Sequence, residues 1–347
     1  MTRRHAPRRG SISHRPRVRA RRETPSFSSF PKMEKGPTKP LNFFGYKAGM
    51  VHLVAKSMHE KGKMQKLDMQ IPTTVIECPP LMVYGVRAYA KDPYGLHAMG
   101  EVTIDKLDKH AIERNHNFKK KSEHKKNTKN TRTASTPATL DDFAAKKAEL
   151  HSIRLLVHTQ PEKTPFGKKK AEMTELALSG TIDEQLHYAK EKFGKTIAIA
   201  DVFKDGSLID VKGVTRGFGF GGVVARAGVK TFRPKAKYIR TVGSISPLRP
   251  GTVQFTVARP GQLGYHNRTE FNKKILKVLN AQDAAKINPK SGFEHYGPVQ
   301  SDYILVAGSV PGPIKRLIGL REPVRPEEVG NYKIGPVTFV STTRGAL

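Results

Sequence analysis

Short apolar runs, cut by glycine and proline, recur along this 347-residue chain, and most of them predict strands rather than helices. Residues 41–54 carry Phe43, Phe44, Val51 and Leu53 around Gly45 and Gly49, and predict two short strands about glycine turns. Residues 73–78 predict a third strand. Residues 81–90 predict another, because Val83, Gly85 and Ala88 interrupt any helical stripe. Together they read as the start of a small antiparallel barrel. Further on, 153–157 reads as a strand, as does the run with Ile197, Ile199, Val202 and Phe203. Asp205-Gly206 then predicts a tight turn, with 208–211 as its hairpin partner. Residues 253–257 alternate clearly, and 303–306, 314–320 and 336–340 complete the strand set.

Helical patterns are fewer. Thr139 predicts an N-cap with Asp141 and Asp142 in the first turn, where the helix dipole favours them. Residues 168–178 and 182–193 predict a helical pair split at Gly180, the second capped by Thr181 and stopped by Gly194. Residues 270–279 predict one short helix. The lysine-rich stretch 105–129 predicts a helix or two, ending in a flexible basic loop near 127–137. The pattern therefore predicts a mainly β protein. A first barrel part at 41–90 is followed by an inserted α/β block at 91–195 and a second barrel part at 196–212. A third part, with the short helix, occupies 253–347.

Charge changes this picture most. Lys and Arg number 62 against 30 Asp and Glu, a net charge of +32. Solubility of a small protein asks for about 2–8 charges. The excess concentrates in two places. Residues 1–40 alternate Arg3, Arg4, Arg8, Arg9, Arg15, Arg17, Arg19, Arg21 and Arg22 with Pro7, Pro16, Pro25 and Pro31. Prolines block a helix and arginines repel one another, so this extension is expected to order only on a polyanion. The same prolines argue against a mitochondrial presequence, and no apolar core follows the charges as a secretory signal requires.

The second concentration is sharper. From 212 to 269 there is no Asp or Glu, while Lys212, Arg216, Arg226, Lys230, Arg233, Lys235, Lys237, Arg240, Arg249, Arg259 and Arg268 accumulate, followed by Lys273 and Lys274. A single-sign field of this kind calls for phosphate. Gly217, Gly219 and Gly222 spell G-x-G-x-x-G, yet a dinucleotide site needs a helix at the last glycine and an acid about 20 residues on. The next acid is Glu270, and 223–228 is a poor helix start. A kinase needs H-R-D and D-F-G, and neither string occurs. The segment 213–252 instead reads as an extended loop on RNA. Its glycines admit phosphate close to the backbone, and Phe218, Phe220, Phe232 and Tyr238 are placed to stack on bases. Lone Cys78 and scattered histidines point to no disulfide, metal or other cofactor, and to a reducing compartment. No run reaches the ~18 apolar residues of a membrane span. A general chromatin-type nucleic-acid binder remains the alternative on composition.

Phe203-x6-Asp210-x2-Gly213-x-Thr215-x-Gly217-x-Gly219-x2-Gly222-x3-Arg226 resembles the signature of the large ribosomal subunit protein L-three family. The run from Thr256 through Arg259, Gly261, Tyr265 and His266 to Glu270 resembles the segment that returns that loop, and 41–50 and His295-Tyr296-Gly297 are similar too. The long basic arm and inserted block resemble the archaeal and eukaryotic branch. The resemblance implies a translation-protein-type six-stranded β-barrel carrying a long internal finger. It implies no enzyme, but a cytoplasmic protein bound early to large-subunit ribosomal RNA. Neighbouring ribosomal proteins would be its partners, with no membrane contact and no homo-oligomer. The finger would reach toward the peptidyl transferase centre and the aminoacyl-tRNA entry path. His266 matches the family's histidine, with packing at the base of the loop as the alternative role. Phe218, Ala225 and Ala227 depart from the pattern, and Leu248 stands where the family has its tip tryptophan. A leucine there wedges without a flat π-face or a donor N–H.

Overall fold

A computed structural model describes residues 8–33, 36–57, 67–104, 107–114, 139–246, 249, 251–326 and 334–341. In chain order its elements begin with β1 (Asn42–Ser57), β2 (Asp68–Glu77), β3 (Leu81–Asp92), β4 (Gly95–Thr103), α1 (Lys109–Arg114) and α2 (Leu140–Ala145). Then come β5 (Ser152–His158), β6 (Met173–Ala177), α3 (Ile182–Lys192), β7 (Thr196–Ile197), β8 (Leu208–Val214), β9 (Gly217–Gly221) and α4 (Val223–Ala227). The last are β10 (Gly261–Gly264), β11 (Asn267–Leu279), β12 (Tyr303–Ala307), β13 (Leu317–Arg321) and β14 (Ile334–Ser341). The chain divides into two compact units, Met1–Glu23 with Val214–Arg268, and Thr24–Gly213 with Thr269–Leu347.

The larger unit holds a 7-stranded sheet in the order β13-β8-β11-β12-β2-β1-β14. β13 also pairs with β1, from Asn42 opposite Arg321 to Tyr46 opposite Leu317, so the pairing closes into a ring through β1, β2, β12, β11, β8 and β13. β14 continues along the second half of β1. A second, 5-stranded sheet runs β4-β3-β5-β6, with β7 on β3. Phe43, Tyr46 and Ile76 from the first sheet share one core with Ile153, Leu155 and Leu176 from the second. α3 has a capping box between Thr181 and Glu184, and Gln185 on its inner face accepts the Ile153 amide at 3.0 Å.

Several expectations need correction. The two short strands at 41–54 are one strand of 16 residues. Its glycines serve close packing rather than turns: a Cβ on Gly45 would lie 2.7 Å from Cys78 Sγ, and one on Gly49 2.6 Å from the Phe293 ring. β3 and β7 belong to the second sheet, not to barrel parts at 41–90 and 196–212. Ile199–Asp201 is a 3-10 turn, and β8 finds its partners in β13 and β11 rather than in a hairpin across Asp205-Gly206. Residues 270–279 are not a helix; they lie in β11, whose Ile275 faces Val306 and whose Leu279 faces Tyr303. Residues 168–178 are likewise not helical, since β6 pairs with β5 there. Within 105–129 only α1 is described as helical, and the loop at 127–137 lies outside the described residues.

The N-terminal reading changes too. Residues 24–33 and 36–41 belong to the larger unit. Pro25 and Phe27 are buried, and Arg321 lies over the Phe27 ring at 5.0 Å while donating to the Ser29 carbonyl at 2.8 Å. Lys39 reaches Glu322 at 2.6 Å, and the Leu41 amide donates to the Ala177 carbonyl at 2.8 Å. Phe27 and Pro25 bury apolar surface within this stretch.

Candidate nucleic-acid interface

The smaller unit is organised on a 2-stranded antiparallel ribbon, β9 against β10, with Gly221 opposite Gly261 and Gln262 opposite Phe220. Its root is closed by Thr215 and His266, whose backbones share a 3.0 Å hydrogen bond, and by the Thr215 hydroxyl accepting the His266 amide at 3.1 Å. Gly264 has a φ of +72°, and a Cβ there would sit 2.0 Å from the Arg216 carbonyl oxygen, so no other residue fits. α4 opens at Gly222, contrary to the expectation of no helix, but Gly228 in the left-handed region ends it within five residues. That single turn, beside an antiparallel ribbon, does not provide the parallel unit a dinucleotide site needs.

The arginines fall into two groups. One group binds the chain's own carbonyls, and within it Arg17, Arg226 and Arg268 are half-buried while Arg8 is exposed. Arg226 donates to Gln262 at 3.0 Å and Arg259 at 2.9 Å, and Arg17 donates to Ser11 at 2.7 Å and Arg226 at 3.2 Å. Arg8 donates to the Thr256 carbonyl, and Arg268 to that of Asn267 at 2.8 Å. Burial pushes the Arg226 pKa down, and the charges of Arg17 and Arg15 push it further, so the unit repels itself electrostatically. Outer cations are exposed: Arg9, Arg19, Arg21, Arg22, Lys230, Arg233, Lys235, Lys237, Arg240, Arg249 and Arg259. Arg216 is exposed as well and lies over Phe218 at 5.8 Å. Arg3, Arg4 and Leu248 lie outside the described residues.

Glycines sort the same way. Gly219 has a φ of +71°, and a Cβ on Gly219 or on Gly222 would meet nothing within 4 Å. Gly217 packs on Tyr265, 3.4 Å from where its Cβ would be. Phe218, Phe220 and Tyr238 are 64%, 79% and 73% exposed, which leaves their rings open for stacking. Phe255, expected in a strand at 253–257, is instead in a turn and 72% exposed beneath the Arg15 guanidinium at 5.3 Å.

Four candidates have other partners. His266 is buried, with Nδ1 3.0 Å from the Val18 carbonyl, so it fastens the N-terminal residues rather than facing outward. In the larger unit, Lys212 donates to the Ser26 carbonyl over the Phe27 ring, and burial lowers its pKa. Lys273 pairs with Glu270 at 2.8 Å, and Lys274 is half-buried with its pKa lowered by burial.

A family model described as ribosomal protein L3 matches residues 1–343. The chain belongs to the ribosomal protein L3 family. It is 42% identical over 342 residues to the large ribosomal subunit protein uL3 of Methanocaldococcus jannaschii, covering 97% of this chain and 96% of that one. It is 39% identical to the uL3 of Methanobrevibacter smithii, covering 99% and 98%, and 37% identical to that of Archaeoglobus fulgidus, covering 98% of each. These L3 relatives are ribosomal proteins and not enzymes.

Proposed function

We propose that this chain is a structural, non-enzymatic protein of the large subunit of the cytoplasmic ribosome that binds ribosomal RNA. The observation that carries the reading is the division of cations in the smaller unit. One group of arginines holds the backbone through its carbonyls, the other is exposed, and Glu23, bonded to the Tyr265 hydroxyl at 3.1 Å, is the one acid in that unit's sequence. Phosphate would relieve the repulsion that this arrangement sustains. The six-strand ring acts as a translation-protein-type barrel that docks on folded RNA by shape. The segment 213–252 acts as a finger threading between RNA helices toward the peptidyl transferase centre and the aminoacyl-tRNA path. Early binding of this kind supports subunit assembly, with neighbouring ribosomal proteins on the inserted block and a single copy per subunit.

The test is sedimentation with large subunits through a high-salt wash, paired with a binding comparison at moderate salt. Retention in the subunit, and preference for large-subunit RNA over duplex DNA, are expected. Equal affinity for the two nucleic acids would support the chromatin-type alternative instead.

A further inference from the structure

The larger unit carries a second cationic surface outside the glycine-rich segment. Residues 161–172 and 287–301 are two irregular loops packed on one another. Phe166 pins them: its ring centre lies 5.0 Å from that of Tyr46 and 5.2 Å from that of Tyr296. Ser301 donates its hydroxyl to the Lys163 carbonyl at 2.7 Å. The buried Glu77 carboxylate accepts the Tyr296 hydroxyl and the amides of Gln300 and Ser301, the latter two at 2.8 and 2.7 Å. Each bond fastens a loop to the core, so the frame is rigid although it contains little regular structure.

On this frame Lys163, Lys169, Lys170 and Lys290 are exposed. Glu172 is buried and taken by Lys168 at 2.6 Å, leaving the exposed Glu162 and Glu294 against those four lysines. Gly167 lies at the loop tip with nothing within 4 Å of where a Cβ would be, so its backbone is open to close approach. His295 is exposed and held at a φ of +58°, a conformation costing on the order of 1–2 kcal/mol for a residue with a side chain. That turn is closed by paired backbone hydrogen bonds between Phe293 and Gly297, and His295 Nε2 lies 3.6 Å from the Glu294 carboxylate. No large apolar side chain of the two loops is exposed. A protein interface needs an apolar centre, whereas lysine point charges beside open backbone match phosphate.

We propose that Lys163, Lys169, Lys170 and Lys290 form a second phosphate-binding surface for ribosomal RNA. It rests on the reading that the chain binds ribosomal RNA. The experiment uses the full-length chain, large-subunit ribosomal RNA and a K163Q/K169Q/K170Q/K290Q variant whose melting matches the parent. The slope of log affinity against log salt should shrink by about 0.7–0.9 for each phosphate no longer neutralised. An R233Q/K235Q/K237Q/R240Q variant serves as reference. If only the reference variant lowers the slope, the second surface is wrong; if neither does, RNA binding by the smaller unit is wrong as well. A second readout tethers a hydroxyl-radical source at Ser291→Cys, a unique site because Cys78 is the sole native cysteine and is buried. Discrete RNA cleavage within assembled subunits is expected. Absence of cleavage, or crosslinking from this site to an acidic protein alone, overturns the proposal.

Discussion

Gly264 and Gly222 stand in one segment for opposite reasons. Gly264 is required by the chain itself, through its φ of +72° and the Arg216 carbonyl 2.0 Å from any Cβ. Gly264→Ala should therefore cost more than the ~1–2 kcal/mol of a left-handed residue alone. Faster amide exchange across β9 and β10 would register the loss. Gly222 meets nothing within 4 Å and has a φ of −71°, so Gly222→Ala should change stability by less than about 0.5 kcal/mol. Its RNA affinity should nonetheless fall, because a methyl group intrudes where phosphate approaches. Unchanged affinity in a filter-binding titration would remove Gly222 from the interface. Glu77 makes a separate prediction in the larger unit. Burial raises its pKa, against the Tyr296 hydroxyl and the Ser301 and Gln300 amides that favour the charged form. A carboxyl raised on folding contributes stability fully present below its unfolded pKa and lost as pH rises through the folded one. Glu77→Gln lacks that titration. Urea denaturation across a pH series should show the gap between parent and variant moving in the variant's favour as pH rises through the raised carboxyl range. Parallel profiles would contradict this assignment.

Among the elements, β11 shows why local pattern misleads. Its sequence mixes three Lys and two Leu with Ile275 and Val278, and helix preferences among such residues differ by only a few tenths of a kcal/mol each. Pairing with β12 and β8 satisfies backbone groups that a lone helix at that place could not align with the ring. Thr139 and Thr181 read correctly because a cap is an interaction within four residues, here Thr139 with Asp142 and Thr181 with Glu184. Residues 24–41 make the same point in reverse. Arginine and proline suggested an arm without structure, yet Phe27 sits against Gly319 and beneath Arg321. Phe27→Ala should destabilise the larger unit by about 3 kcal/mol, measured by chemical denaturation. A chain beginning at Thr24 should keep that unit's cooperative unfolding, whereas one beginning at Gly36 should lose part of its stability. Equal stability of the two truncations would show the Phe27 packing to be inconsequential.

At the scale of the whole molecule, charge is partitioned by use. Replacing Arg233, Lys235, Lys237 and Arg240 by Gln should leave folding intact and flatten the salt dependence of RNA binding by about 0.7–0.9 log units per phosphate released. Replacing Arg226 by Gln removes hydrogen bonds to Gln262 and Arg259, so its first effect should be loosened structure in the smaller unit. Differential scanning calorimetry separates the two cases: only the second variant should shift a melting transition. The candidate interface was legible in part for this reason. Charge sign, glycine spacing and aromatic content can be read along the sequence, and they pointed to the segment. Which arginines turn inward, and that His266 grips Val18, depends on carbonyls brought close from distant positions.

The sequence by itself determined that the protein is mainly β, strongly cationic, capped at Thr139 and Thr181, and marked by the L3 glycine spacing. Each of these follows from residues close together in the chain or from sums over it. Tertiary structure alone decided that β3 leaves the first sheet, that β11 is a strand, that β13 closes the ring on β1, and that Phe27 packs against Gly319. Those outcomes come from pairings and burial between segments far apart in sequence. A strand's alternation states that it has a buried face, but not against which partner.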